Sequence, residues 1–232
     1  MSGRIFPVRL APERVRVGLI VLRADETIER EFRQLFPAGA DLLVSRVASG
    51  RQLTLETLAA MEADLAAAAA LFPEDTRLDA LGYACTSGTA RIGADRIAAL
   101  LGPAAAHVTE PVSALVATAR ARGLRRLALL SPYEAAVSAR LRAVLAEAGI
   151  ETPVFGSFDV TDEATVARIA PDAITDAALA LTNGADVDGL FLSCTNLATL
   201  DVLAPLEARL GMPVMSSNSV LAGHLRQLAD LP

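Results

Sequence analysis

Tryptophan is absent from this chain, and cysteine and histidine occur only twice each. Two cysteines cannot build the disulfide framework of a small secreted domain. The two histidines, His107 and His224, lie far apart, and no Cys/His spacing of the zinc-binding kind exists, so no metal is expected. Both read as structural or solvent-exposed. Aromatic residues make up 4% of the sequence. With Ala and Leu abundant, that scarcity argues for helices packed on sheets and against an all-β fold. No apolar run nears the roughly 20 residues a bilayer needs; Leu65–Phe72 is among the longest. The segment Met1–Glu13 carries Arg4 and Arg9 but no apolar signal-peptide core, so a cytoplasmic location is expected. A basic stripe is missing too. The formal net charge is −6, the two signs are interspersed, and basic residues do not pair with aromatics, which argues against a nucleic-acid partner. No GxGxxG follows the first apolar run, and there is neither a GxxxxGK[ST] loop nor a GxSxG elbow. A dinucleotide site is therefore not expected, and no cofactor is called for.

What the chain has is alternation. Short β-branched runs read as strands at Val15–Leu22, Asp41–Val47, Leu78–Cys85 and His107–Thr109. Helical spacing covers Ala24–Phe36, one long stretch from Thr54 to Phe72, Gly93–Leu101 and Pro111–Arg122. The series then restarts, with strands at Arg125–Ser131, Glu151–Phe158, Gly189–Cys194 and Pro213–Ser216. The helices between and after them run from Tyr133 to about Ala148, Pro171–Asn183, Leu200–Leu210 and Val220–Leu231. Strands alternating with helices imply βαβ units and parallel sheets. The expected fold is α/β, with two similar Rossmann-like lobes related by pseudo-twofold symmetry and a site in the cleft between them. The lobes are placed at 1–121 and 122–216, with a final helix at about 217–232 returning to the first.

Both cysteines close strands. Cys85 sits in YACTSGT and Cys194 in LSCTNLAT. In parallel α/β sheets, ligands bind beyond the carboxyl ends of strands. Each cysteine precedes a Thr and a helix, whose dipole and free N–H groups favour an anion and lower the thiol pKa below its free value of about 8.5. A thiolate and a thiol on opposite faces of a carbon next to a carboxylate could remove a proton and return one. Thr86, Ser87, Thr195 and Asn196 are placed by sequence to hold the carboxylate, and the Tyr133 hydroxyl could join them. Free cysteines are equally common as small core residues, and spacing alone leaves both readings open. Asp25 and Glu26 read locally as helix caps. Ser216-Ser217-Asn218 is either a cap or a substrate contact.

The segments GLIVLRADETIEREF from Gly18, YACTSGTARIG from Tyr83, Ser131–Tyr133, LSCTNLATLD from Leu192 and PVMSSNSVLAGH from Pro213 cover nearly the whole chain. In these segments it resembles the aspartate/glutamate racemase superfamily. The nearest group there comprises arylmalonate decarboxylase, maleate cis-trans isomerase and, most similar in VLRADETIE and CTSGTARIG, the ectoine-utilisation proteins. The resemblance implies cofactor-free chemistry between two α/β lobes, with Cys85 and Cys194 as the catalytic pair. The decarboxylase keeps only the second cysteine and has glycine at the first position, whereas this sequence has both. Maleate isomerases carry Asn where this chain has Asp25. An added carboxylate would repel a dicarboxylate and suit a substrate with an amino group. The expectation is an isomerase or racemase of a small amino or organic acid, in ectoine or diaminobutyrate breakdown. Asp25, Thr86, Ser87, Tyr133, Thr195 and Asn196 would bind the substrate. The alternatives are a maleate-type isomerase with a covalent cysteine adduct, an arylmalonate-type decarboxylase and a non-catalytic small-acid-binding protein. A homodimer or higher homo-oligomer is expected by analogy with the superfamily.

Overall fold

The computed structural model describes residues 3–52, 54–74 and 77–232. It contains two four-stranded sheets, each wholly parallel. The first is built from β1 (Arg16–Leu22), β2 (Asp41–Val47), β3 (Leu78–Ala84) and β4 (Ala105–Thr109), in the order β2-β1-β3-β4. The second repeats that order as β6-β5-β7-β8, with β5 (Arg126–Ser131), β6 (Glu151–Ser157), β7 (Gly189–Leu192) and β8 (Val214–Ser216). The central strands β1, β3, β5 and β7 are apolar along nearly their whole length and buried on both faces, as a parallel sheet covered by helices on each side requires.

The helices come in chain order. α1 (Ile28–Leu35) follows β1; α2 (Leu55–Ala60) and α3 (Leu65–Ala69) follow β2; α4 (Thr86–Ile92) and α5 (Ala94–Leu101) follow β3; α6 (Pro111–Arg122) links the two halves. α7 (Ala135–Glu147), α8 (Glu163–Val166), α9 (Pro171–Thr182) and α10 (Leu200–Leu210) serve the second half, and α11 (Ser217–Leu228) follows β8. α6 has strong end signals. Glu110 accepts hydrogen bonds from the Val112 and Ser113 amides, Pro111 fills the first turn, and Gly123 stops the helix at φ +70.

The continuous helix expected from Thr54 to Phe72 is interrupted. Thr54 and Thr57 form a capping box for α2, and a 3-10 turn at Met61–Asp64 separates it from α3. The tightened turn keeps Leu58, Met61 and Leu65 on one buried stripe. The helix expected at Gly93–Leu101 is preceded by another, α4, which starts straight after Cys85; Gly93 separates them at φ +97, a conformation glycine adopts without a Cβ clash. Ala24–Asp25 lie outside α1, because the Asp25 carboxylate caps Ile28 and so fixes the helix start there.

α11 leaves the second sheet and packs on the first. Leu221 and Leu225 are fully buried in a cluster with Val17, Leu19, Ala80 and Phe32. Each fully buried leucine of this kind contributes about 1.5–3 kcal/mol. The last helix therefore ties the two halves together beneath the strand ends, where the cysteines lie.

Candidate active site

The carboxyl ends of β1, β3, β5 and β7 converge on a small, tightly closed cavity. Both cysteines line it, and so do Asp25, Thr86, Ser87, Tyr133, Thr195 and Asn196, joined by Leu22 and Glu163. All eight residues singled out from the sequence are thus brought to one place. Cys85 and Cys194 occupy corresponding positions, each just past the third strand of its sheet in chain order.

The two cysteines differ in backbone setting. Cys85 is the N-cap of α4, and its Sγ accepts a hydrogen bond from the Gly88 amide at 3.1 Å. Cys194 sits at φ +122, and no helix follows it until α10 begins at Leu200. The helix dipole expected at both cysteines is therefore present only at Cys85. Cys194 Sγ instead accepts from the Asn196 amide at 3.3 Å and lies 2.9 Å from the Tyr133 hydroxyl. The lowered thiol pKa expected from sequence is reversed. Burial pushes Cys85 up to about 12 against the help of the Gly88 amide, and the Glu163 and Asp25 charges add to the rise. Burial and Glu163 likewise hold Cys194 well above the ordinary thiol range. Desolvation outweighs the dipole because both side chains are almost wholly removed from water.

Tyr133 joins Cys194 to a carboxylate. Its hydroxyl donates to Glu163 Oε1 at 2.7 Å, which spends its single proton and leaves the Cys194 thiol to donate to the phenol oxygen. Glu163 Oε2 accepts from Asn196 Nδ2 at 2.7 Å. Asn196 is otherwise committed, with Nδ2 also reaching the Glu163 carbonyl and Oδ1 accepting from the Glu26 amide. Its side chain positions Glu163. Burial raises the Glu163 pKa against these two hydrogen bonds, with Asp25 and Asp162 adding to the rise.

Asp25 is the second carboxylate in the cavity wall. Oδ1 accepts from the Thr27 and Ile28 amides at 2.8 and 2.9 Å, so the capping reading holds for that oxygen. Among the described residues Oδ2 is buried without a hydrogen-bond partner; the Thr195 hydroxyl lies beside the carboxylate but donates to the Ala84 carbonyl. Burial is the main cause of a raised Asp25 pKa, offset in part by the two amides, the Thr195 hydroxyl and the charge of Arg46.

The remaining expected residues brace the walls. Thr195 Oγ1 donates to the Ala84 carbonyl. Thr86 Oγ1 shares a 2.7 Å hydrogen bond with Ser217 Oγ, which accepts from the Cys194 amide. Ser216 caps α11, and Asn218 Nδ2 donates to Glu31 and to the Thr195 carbonyl. Neither Ser217 nor Asn218 lines the cavity.

Sequence reasoning missed Glu163 and Glu31. The Glu31 carboxylate is buried and accepts from the Thr199 and Leu200 amides at the start of α10. Glu163 begins α8 after the cap Asp162, and the only signal in the chain there is that of a capped turn. Its place in the cavity depends on a tertiary link: the Gln52–Asp162 bridge and a hydrogen bond from the Glu163 amide to the Arg51 carbonyl. Among the described residues no group of three or more His, Cys, Asp or Glu side chains could hold a metal ion, and no helix is long and apolar enough to cross a membrane.

The comparisons with known proteins agree with this fold. The sequence model of the arylmalonate decarboxylase family matches residues 17–231. The arylmalonate decarboxylase of Bordetella bronchiseptica is 39% identical over 100 residues, a match that spans 43% of this chain and 42% of that protein. The maleate isomerase of Pseudomonas putida is 26% identical over 93% of this chain and 92% of its own. Among solved structures, the maleate isomerase Iso of Pseudomonas putida S16 superposes with a TM-score of 0.85 at 26% identity, covering 95% of this chain and 94% of that one. Unliganded arylmalonate decarboxylase gives 0.76 at 28% identity, over 93% and 92%.

Proposed function

Because the chain belongs to the arylmalonate decarboxylase family, we propose that it is a cofactor-independent isomerase that inverts the α-carbon of a small amino acid between Cys85 and Cys194. The observation that carries this reading is Asp25 Oδ2, a buried carboxylate oxygen without a partner among the described residues, in the wall of the cavity that holds both thiols. A buried unpaired charge is costly. A substrate ammonium would pair it. The same ammonium would offset the negative charge that Asp25 and Glu163 exert on both thiols, and so ease thiolate formation only when substrate is bound.

The substrate carboxylate is held by Ser87, which lines the cavity beside Cys85. Cys194 loses its proton along the chain of hydrogen bonds through Tyr133 to Glu163, whose raised pKa suits it to accept. The Cys194 thiolate then takes the α-proton from one face while the Cys85 thiol delivers its own to the other. The reverse direction exchanges the roles. The resemblance to ectoine-utilisation proteins directs the choice of substrate to a diaminobutyrate derivative.

The test is a panel of amino acids, N-acetyl-diaminobutyrates and dicarboxylates incubated in deuterium oxide and read by proton NMR. Loss of the α-proton signal from an amino acid is the expected result. No exchange in any amino acid, together with conversion of maleate to fumarate, would establish the second reading. That reading is a maleate-type isomerase with a covalent cysteine adduct. It is favoured by the near full-length match to maleate isomerases and opposed by the Asp25 charge. A decarboxylase reading is weakened by Cys85, which stands where the resemblance implies glycine. A purely binding role is weakened by the meeting of both thiols in one cavity.

A further inference from the structure

The chain has two tyrosines and two cysteines, and one tyrosine stands beside each cysteine. Tyr133 and Cys194 are joined directly at 2.9 Å. In the other half, Tyr83 is fully buried on β3, two residues before Cys85, and forms no part of the cavity wall. Among the described residues its hydroxyl makes one weak hydrogen bond, to Met61 Sδ at 3.9 Å. A phenol so deeply buried ordinarily has a nitrogen or oxygen partner. The group that faces it is Cys85. A β-carbon built on Gly88 would stand 2.4 Å from the Tyr83 hydroxyl oxygen and 2.9 Å from Cys85 Sγ, so both atoms border the same point in space, and the missing side chain of Gly88 leaves it open between them.

We propose that Tyr83 is a positioning residue for Cys85: its hydroxyl rests on Met61 Sδ while Cys85 is a thiol and turns to donate to Sγ when the thiolate forms. The donation leaves the phenol proton on the tyrosine. Three features support this. Burial disfavours the Cys85 thiolate, so a donor aimed at the sulfur has the largest effect there. Burial also holds the Tyr83 phenol far above its ordinary pKa, which keeps it a neutral donor. The titratable groups around the pair are Glu163 and Asp25, both acting on Cys85 from the cavity side, while Tyr83 approaches from the core. Cys194 has Tyr133 and Glu163 to take its proton away; Cys85 has no such carboxylate relay, and Tyr83 stabilises its anion instead.

The experiment uses the reaction of each thiol with methyl methanethiosulfonate, so it is independent of any substrate and of the function proposed above. In a Cys194→Ser background, where Cys85 is the only thiol, Tyr83→Phe is expected to slow the reaction about tenfold at every pH below the Cys85 pKa, the effect of raising that pKa by about one. In a Cys85→Ser background, Tyr83→Phe leaves the Cys194 rate unchanged and Tyr133→Phe alters it. The melting temperature of Tyr83→Phe stays close to that of its parent, since the hydroxyl removed had only a sulfur partner. An unchanged Cys85 rate, or equal slowing of both thiols, overturns the proposal. Should Tyr83→Phe give no cooperative melt, Met61→Leu decides. With the resting acceptor gone, Cys85 reacts faster, and a rate at or below that of the parent rejects the role of Tyr83.

Discussion

Replacing Asp25 by Asn removes a charge and changes almost nothing in shape. The asparagine oxygen keeps the two amide hydrogen bonds that Oδ1 accepts, and Nδ2 takes the place of the unpartnered Oδ2, beside the Thr195 hydroxyl. The energetic consequence follows from linkage. Burial raises the Asp25 pKa above its unfolded value. Its favourable contribution is therefore complete below the unfolded pKa near 3.8 and is lost as pH rises through the folded pKa. At pH 7.5, above the unfolded pKa, the folded protein is penalised for burying a half-satisfied carboxyl group, and Asp25→Asn is not. A buried group left without a partner costs about 1–3 kcal/mol, with charged groups at the upper end. For a chain of this size each kcal/mol moves Tm by about 2–4 °C. Asp25→Asn is thus expected to melt at least about 2 °C above wild type at pH 7.5, by calorimetry. The gap should close as pH falls toward 4, while Glu110, raised in both proteins by its own burial, cancels in the comparison. The same variant loses activity on an amino-acid substrate. A lower Tm than wild type at pH 7.5, or a gap that does not change with pH, would refute the view that Oδ2 is held unpaired for a ligand.

Tyr133→Phe breaks the links to Cys194 and Glu163 and leaves Glu163 Oε1 buried with one donor fewer; a loss of about 1–3 kcal/mol in urea unfolding is expected, together with a shifted pH profile for Cys194. Leu225→Ala opens a cavity between α11 and β1–β3 and should cost about 2–5 kcal/mol in the same assay.

Much of the fold is legible in the sequence because its elements have local signals. Asp41–Val47, Pro111–Arg122 and Leu200–Leu210 fall where hydrophobic pattern, N-terminal proline and C-terminal glycine put them. The parallel sheets follow from strands alternating with helices. The interruption at Met61–Asp64 was not legible, since its apolar stripe continues through the tightened turn. At the site, the eight expected residues all reach one cavity because the parallel strands of each sheet end on one side, and the two sheets meet there at those ends. Thiol chemistry was misjudged, since a strand-end motif reports the backbone direction and says nothing of solvent access. Cys194 illustrates this with its positive φ and absent helix. Glu163 was invisible because its loop is held by Arg51 and Gln52 of the other half, a contact with no trace in local sequence.

The central claim is that Cys85 and Cys194 work from opposite faces of one carbon. The most direct test is α-proton exchange into deuterium oxide from each pure enantiomer of the accepted amino acid, measured separately for Cys85→Ser and Cys194→Ser. The account predicts that each variant loses exchange from one enantiomer only, that the enantiomer differs between the two, and that racemisation falls at least about 100-fold in both. Exchange at the wild-type rate in the double variant, or loss of the same enantiomer in both single variants, would contradict it.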